Sequence, residues 1–148
     1  MKGDGGESLA LAVAELILQE HRHQIANLDV DVVVPVPMHW RRRLRRGTNA
    51  PTLLAERIAG YLRVPMAANL LRRTRHTPPQ FSVPPSQRRA NVRNAFAVRS
   101  GYHLERARVL LVDDILTTGS TCSASASVLK RSGASHVAVV VAARTLRQ

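Results

Sequence analysis

The chain has 148 residues, enough for one domain with a sizeable core, and hydrophobic residues make up 45% of it. Its formal net charge is +12, and its single cysteine, Cys122, excludes an intrachain disulfide and a Cys-rich zinc site, in keeping with a reducing compartment. The longest early apolar stretch, residues 9–18, contains Glu15 and is too short to span a bilayer, and Asp4, Glu7 and His21-Arg22-His23 do not make a signal-peptide layout, so the expectation is a cytoplasmic protein with no membrane insertion.

Residues 1–7 are Gly-rich and expected to be loose. Ser8 can cap a helix over residues 8–26, whose Leu9, Val13, Leu16 and Ile17 recur at helical spacing. His21 and His23 stand two apart, which on a helix points them in different directions; they read as solvent-facing. Residues 30–36 form the first clear strand, its valine run fit for burial on both faces, and Pro35 and Pro37 stiffen its exit. Arg41, Arg42, Arg43, Arg45 and Arg46 follow at once, in a stretch, residues 32–104, whose one acid is Glu56. Arginine suits bidentate phosphate contact, so this middle region reads as a polyanion-binding surface or a catalytic rim.

Asn49 and Pro51 open the next helix, with Leu54, Ile58 and Leu62 on one face, and residues 64–71 read as a second strand, completing a strand-helix-strand unit of a parallel sheet. Residues 72–94 differ from their surroundings. Four prolines, Phe81 and Val83 as isolated hydrophobes, and Arg73, Arg75, Arg88 and Arg89 describe an irregular segment that forms no packed layer by itself. Phe96, Val98 and Tyr102 mark the return to the sheet.

The most informative stretch is residues 109–121. The apolar run 109–112 is a buried parallel strand, Asp113 and Asp114 stand at its carboxyl end, and Thr117, Thr118, Gly119, Ser120 and Thr121 open a new helix. Hydroxyls, backbone N–H groups and a glycine able to take positive φ make a phosphate cup at a helix N-terminus. Two carboxylates beside such a cup ask for vicinal hydroxyls or a hydrated metal near the phosphate, the layout of a ribose 5-phosphate. The helix runs to about Arg131, shows Cys122, Ala126 and Leu129 on one face and ends at Gly133. Cys122, in its first turn, could have a lowered pKa, although a small packing residue fits better than a nucleophile. Residues 136–143 are a further buried strand, and no linker divides the chain, which is expected to be a single domain over residues 1–148.

The stretch from Asp113 to Thr121 resembles the binding signature of type I phosphoribosyltransferases, which use phosphoribosyl pyrophosphate (PRPP). Together with residues 34–39, Arg46-Gly47-Thr48-Asn49, Arg73-Thr74, Pro79-Gln80, Arg89-Ala90-Asn91 and Ala95-Phe96, it is similar to the ComF family, associated with DNA uptake in competent bacteria. The resemblance covers roughly residues 30–146. It implies an α/β, type I phosphoribosyltransferase-like fold, a mostly parallel sheet flanked by helices, with residues 72–94 as a flexible lid or hairpin. It further implies that Asp113 and Asp114 meet the ribose hydroxyls directly or through Mg²⁺, and that Thr117, Thr118, Gly119, Ser120 and Thr121 hold the 5′-phosphate. Arg41, Arg42, Arg43, Arg45 and Arg46 become the pyrophosphate candidates, and Arg73, Arg75, Arg88 and Arg89 the lid candidates. Two features depart from the pattern: the family's N-terminal Cys-rich zinc segment is absent here, and Thr48 and Ala50 replace its usual aromatic and Gln.

The activity implied is transfer of phosphoribose from PRPP to an acceptor, with release of pyrophosphate, and a role in competence. The rival is a module that senses PRPP without catalysis, or binds single-stranded DNA or a competence-machinery protein through the basic face. Against generic strand binding, the only large aromatics are Trp40, Tyr61, Phe81, Phe96 and Tyr102. A homo-oligomer is expected.

Overall fold

The computed structural model describes residues 4–38, 49–75, 77–78, 80–116 and 118–144. The candidates Arg41, Arg42, Arg43, Arg45, Arg46 and Thr117 lie outside these residues.

Helix α1 (Asp4–Ala26) begins before Ser8, so residues 4–7 are helical where the sequence predicted a loose end, and non-helical dihedrals at His21 kink it. Its buried contacts come from Ala14, Ile17, Leu18 and Ile25, whereas Leu9 and Leu16 are exposed; the inward face is rotated from the predicted one. His21 and His23 are exposed, as expected. Strand β1 (Val32–Pro35) then enters the sheet, followed by helix α2 (Ala50–Leu62), which Pro51 starts and which buries Leu54, Ala55, Ile58 and Ala59.

Strand β4 (Arg108–Leu116) is the centre of the fold, paired in parallel with β1 on one side and with β5 (His136–Arg144) on the other. Alternation along β4 assigns the two cores: Val109 and Leu111 pack toward helix α4 (Ser120–Arg131), and Leu110 and Val112 toward α1 and α2. These four side chains are fully buried, as the continuous apolar run predicts for a parallel strand covered on both faces. Leucine or valine burial of this kind stabilises by about 1.5–3 kcal/mol per side chain. Strand β5 departs from prediction. It is the sheet's edge, its burial is partial throughout, and Val139 is 44% exposed, because only one neighbour covers it.

The predicted strand over residues 64–71 is reduced to one parallel bridge, Val33 with Met66. Pro65 lacks an N–H and restricts the residue before it, so pairing stops after Val33 N–H donates to the Pro65 carbonyl (3.0 Å) and Ala67 N–H to the Val33 carbonyl (2.9 Å). The chain enters strand β2 (Leu71–Arg73) instead, which pairs antiparallel with β3 (Phe96–Val98) in a separate two-stranded sheet. Between them lie two 3₁₀ turns, Gln80–Ser82 and Pro85–Gln87, and the single helical turn α3 (Arg88–Asn91). This segment also supplies core: Leu71, Val92, Ala95 and Phe96 are buried in the cluster that holds Leu111 and Leu129.

Candidate functional site

Strand β4 extends three residues beyond Asp113, so the two carboxylates lie inside the strand's end rather than past it. Both are buried, Asp113 at 7% and Asp114 at 6% exposure. A strand's side chains alternate, which turns Asp113 toward α4 with Val109 and Leu111, and Asp114 toward the opposite face with Leu110 and Val112. The adjacent acids therefore flank the strand end instead of forming one side-by-side pair.

Asp113 is held on several sides. Its Oδ1 accepts the Asp114 backbone N–H at 2.8 Å, and its Oδ2 accepts the Cys122 thiol at 3.7 Å. Burial, then the charge and hydrogen bonding of Asp113 and the charge of Asp114, push the Cys122 thiol up to about 12, opposite to the lowering that a helix N-terminus alone predicts. Cys122 is thus a packing residue and a hydrogen donor to the carboxylate.

After Leu116 the chain turns into α4 through Gly119, whose φ of 75° is left-handed. A Cβ there would meet Leu116 Cδ1 at 3.6 Å, an ordinary contact, so the dihedral rather than space calls for glycine. Thr118 Oγ1 and Ser120 Oγ share a hydrogen bond of 2.8 Å, and the Ser120 N–H approaches Thr118 Oγ1 at 3.4 Å. Thr118, Gly119, Ser120 and Thr121 form a tight turn rich in hydroxyls at the positive end of α4, an arrangement suited to a tetrahedral anion.

The four lid candidates divide into three groups. Arg73 is half-buried in β2; its Nη1 donates to Thr77 Oγ1, its guanidinium lies 5.0 Å from the Phe96 ring centroid, and its Nε is buried without a hydrogen-bond partner. Burial lowers its pKa, with the Asp113 charge acting in the other direction. It is a fixed positive charge in the field of Asp113. Arg75 and Arg88 are occupied with backbone: Arg75 Nη2 donates to the carbonyls of Asn91 (3.2 Å) and Arg93 (2.8 Å), and Arg88 Nε to that of Val83 (3.0 Å). Arg89 turns elsewhere, into a groove of about 900 Å³ between α4 and the β2–β3 connection, lined also by Ser86, Arg93, Ser123, Ser127 and Arg131. The described lining of the groove includes no acid.

Two site neighbours carried no assigned role in the sequence. Gln80 Nε2 donates to Thr121 Oγ1 at 3.2 Å, and Asn91 Nδ2 donates to Gln80 Oε1 at 3.0 Å, joining the proline-rich segment to the hydroxyl-rich turn. The available signal was their place in Pro79-Gln80 and Arg89-Ala90-Asn91, two of the stretches that carry the family resemblance, which does not by itself connect either amide to a partner 41 residues away.

Comparison with known proteins agrees with this architecture. The family model described as phosphoribosyl transferase domain matches residues 6–148. Competence protein F of Haemophilus influenzae is 35% identical over 110 residues, covering 74% of this chain and 48% of that protein. DNA utilization protein YhgH of Escherichia coli (strain K12) is 35% identical over 141 residues, covering 93% of this chain and 61% of the other. The chain thus spans about half to three fifths of the length of these relatives. Among solved structures, a purine phosphoribosyltransferase from Pyrococcus horikoshii superposes with a TM-score of 0.54 at 16% identity, covering 90% of this chain and 70% of that one, a likeness of fold.

Proposed function

Since the chain belongs to the phosphoribosyl transferase domain family and to its ComF-like members, we propose that it binds PRPP and transfers the phosphoribosyl group to an acceptor, releasing pyrophosphate. The observation that carries this reading is the continuity of β4, the Gly119 turn and α4, which sets buried Asp113 on the side of a hydroxyl-rich helix N-terminus and buried Asp114 next to it on the other face of the strand end. In this reading the turn, Thr117 included, takes the 5′-phosphate, and Asp113 and Asp114 hold the ribose side of the ligand.

Mg²⁺ fits the donor set. Among the described residues no group of three or more His, Cys, Asp or Glu is built to hold a metal, and Mg²⁺ characteristically takes one or two carboxylates and completes its shell with substrate oxygens and water. Because the two carboxylates diverge across the pleat, Asp113 or Asp114 would hold it singly, directly or through ribose hydroxyls or water, and when bound it supplies charge neutralisation at the pyrophosphate. The acceptor attacks C1′ of the ribose as the bond from C1′ to the pyrophosphate oxygen breaks; positioning and charge stabilisation do the catalytic work. Arg41, Arg42, Arg43, Arg45 and Arg46 are our candidates for the leaving group, and Arg73 supplies fixed positive charge near Asp113. The names of the relatives support a part in DNA uptake or utilisation. The protein is proposed to act in the cytoplasm, as a homo-oligomer; among the described residues no helix is long and apolar enough to cross a membrane.

Calorimetric titration with PRPP and Mg²⁺ tests the site. Wild type is expected to bind, and Asp113→Ala and Asp114→Ala each to weaken binding at least tenfold; absence of heat with wild type would overturn the reading. A second reading is favoured by the acid-free groove of Arg89, Arg93 and Arg131: a PRPP-site fold that contacts single-stranded DNA through its basic face, with or without catalysis.

A further inference from the structure

The amides of Gln80 and Asn91 have only one orientation that satisfies their surroundings. Asn91 Nδ2 lies 3.0 Å from the Pro78 carbonyl and 3.0 Å from Gln80 Oε1; Gln80 Nε2 lies 3.4 Å from the Arg88 carbonyl and 3.2 Å from Thr121 Oγ1. Backbone carbonyls only accept, so each carbonyl fixes which end of its amide carries nitrogen. With Asn91 and Gln80 so fixed, the direction of the last bond follows: Thr121 Oγ1 accepts from Gln80. A hydroxyl has a single hydrogen, and that of Thr121 is turned away from Gln80 and remains available to an acceptor.

We infer that Gln80 is a positioning residue for the phosphate turn, the middle of a donor relay from Asn91 through Gln80 to Thr121 that presents the Thr121 hydrogen to a bound phosphate. Chains of hydrogen bonds polarise one another, so the relay strengthens the terminal donor as well as orienting it. It also ties the β2–β3 connection, to which Gln80 and Asn91 belong, to the turn at the start of α4, to which Thr121 belongs. The inference rests on the proposal that the turn takes the phosphate of PRPP.

The test is a mutant cycle read by calorimetric titration with PRPP and Mg²⁺, the thermal midpoint of each variant being followed alongside. Gln80→Leu is expected to weaken binding about tenfold, or about 1.4 kcal/mol. Thr121→Val is expected to weaken it at least as much, and the double variant no further than Thr121→Val alone. Thr121→Ser keeps the hydroxyl and should retain both wild-type affinity and sensitivity to Gln80→Leu; Gln80→Met serves if Gln80→Leu does not fold. Wild-type affinity in a folded Gln80 variant overturns the relay, as does a Gln80→Leu effect that persists in full in the Thr121→Val background, and both leave the PRPP site standing. No binding by wild type removes the PRPP site and the relay together.

Discussion

At the scale of single residues, the contacts of Asp113 set the chemistry around it. The Cys122 thiol beside it is buried and faces a carboxylate, both of which disfavour the thiolate. Cys122 should therefore react with thiol-directed alkylating reagents far more slowly in the folded protein than in urea. The same shift links stability to pH. Between the thiol's ordinary 9.0 and about 12 the folded chain keeps a proton that the unfolded chain has lost. The stabilisation is thus fully present below 9.0 and is lost as pH rises through about 12. Urea unfolding at alkaline pH should show a smaller decline for Cys122→Ala than for wild type, and equal declines would count against the shift. Arg73 is a parallel case in which burial lowers a pKa, its guanidinium lying half-buried over Phe96, and the Asp113 charge acts in the other direction.

At the scale of elements, the helix ends reveal where backbone geometry was settled locally and where it was tolerated. Gly119 and Gly133 stand where φ is positive, as their positions around α4 predicted. Helix α2 instead ends on Arg63, at φ 57° and ψ 38°, with Arg63 N–H donating to the Gly60 carbonyl (3.3 Å) and Val64 N–H to that of Ala59 (3.1 Å). A left-handed conformation costs a non-glycine residue about 1–2 kcal/mol. Arg63→Gly keeps the terminal hydrogen bonds and removes that strain, although glycine also gains freedom in the unfolded chain. The expected outcome is a net gain of roughly 0.5–1 kcal/mol in urea-unfolding free energy, with PRPP affinity unchanged.

At the scale of the whole molecule, the β2–β3 connection does two jobs with one set of residues. Val92 and Ala95 bury themselves against the α4 side of the sheet, which anchors the segment, while Gln80 reaches the hydroxyl-rich turn and Arg89 and Arg93 line the groove with Arg131. Basic charge is thereby gathered along α4 beside the turn, and among the described residues Tyr61 and Tyr102 are about 40% exposed and Phe96 is buried. If the groove follows a nucleic-acid backbone, binding should be governed by phosphate contacts rather than stacking. Titration of a single-stranded oligonucleotide across a salt series should then show a slope reduced by about 2 when Arg89, Arg93 and Arg131 are all replaced by Ala, at about 0.7 per lost contact. An unchanged slope would place any strand binding elsewhere.

What the sequence determined by itself was whatever depends on neighbours along the chain. The apolar run ending in Asp113 and Asp114, the loop of hydroxyls with Gly119, and the helix to Arg131 are contiguous, and their strand, turn and helix follow from periodicity, dihedral freedom and helix-end polarity. The parallel sheet followed in the same way from alternating apolar strands and helices. The tertiary structure decided what depends on partners distant in sequence. It reduced residues 64–71 to a bridge at Met66, made β5 a half-covered edge, rotated the buried face of α1, and separated the two carboxylates across the pleat. It also gave the four lid candidates unlike roles, one lying over Phe96, two satisfying backbone carbonyls and one opening on a groove. An arginine's type fixes its charge and its donors, but only the packing around it decides which acceptor lies within reach. The bond from Gln80 to Thr121 is of this second kind, for it exists only once the β2–β3 connection is seated against α4.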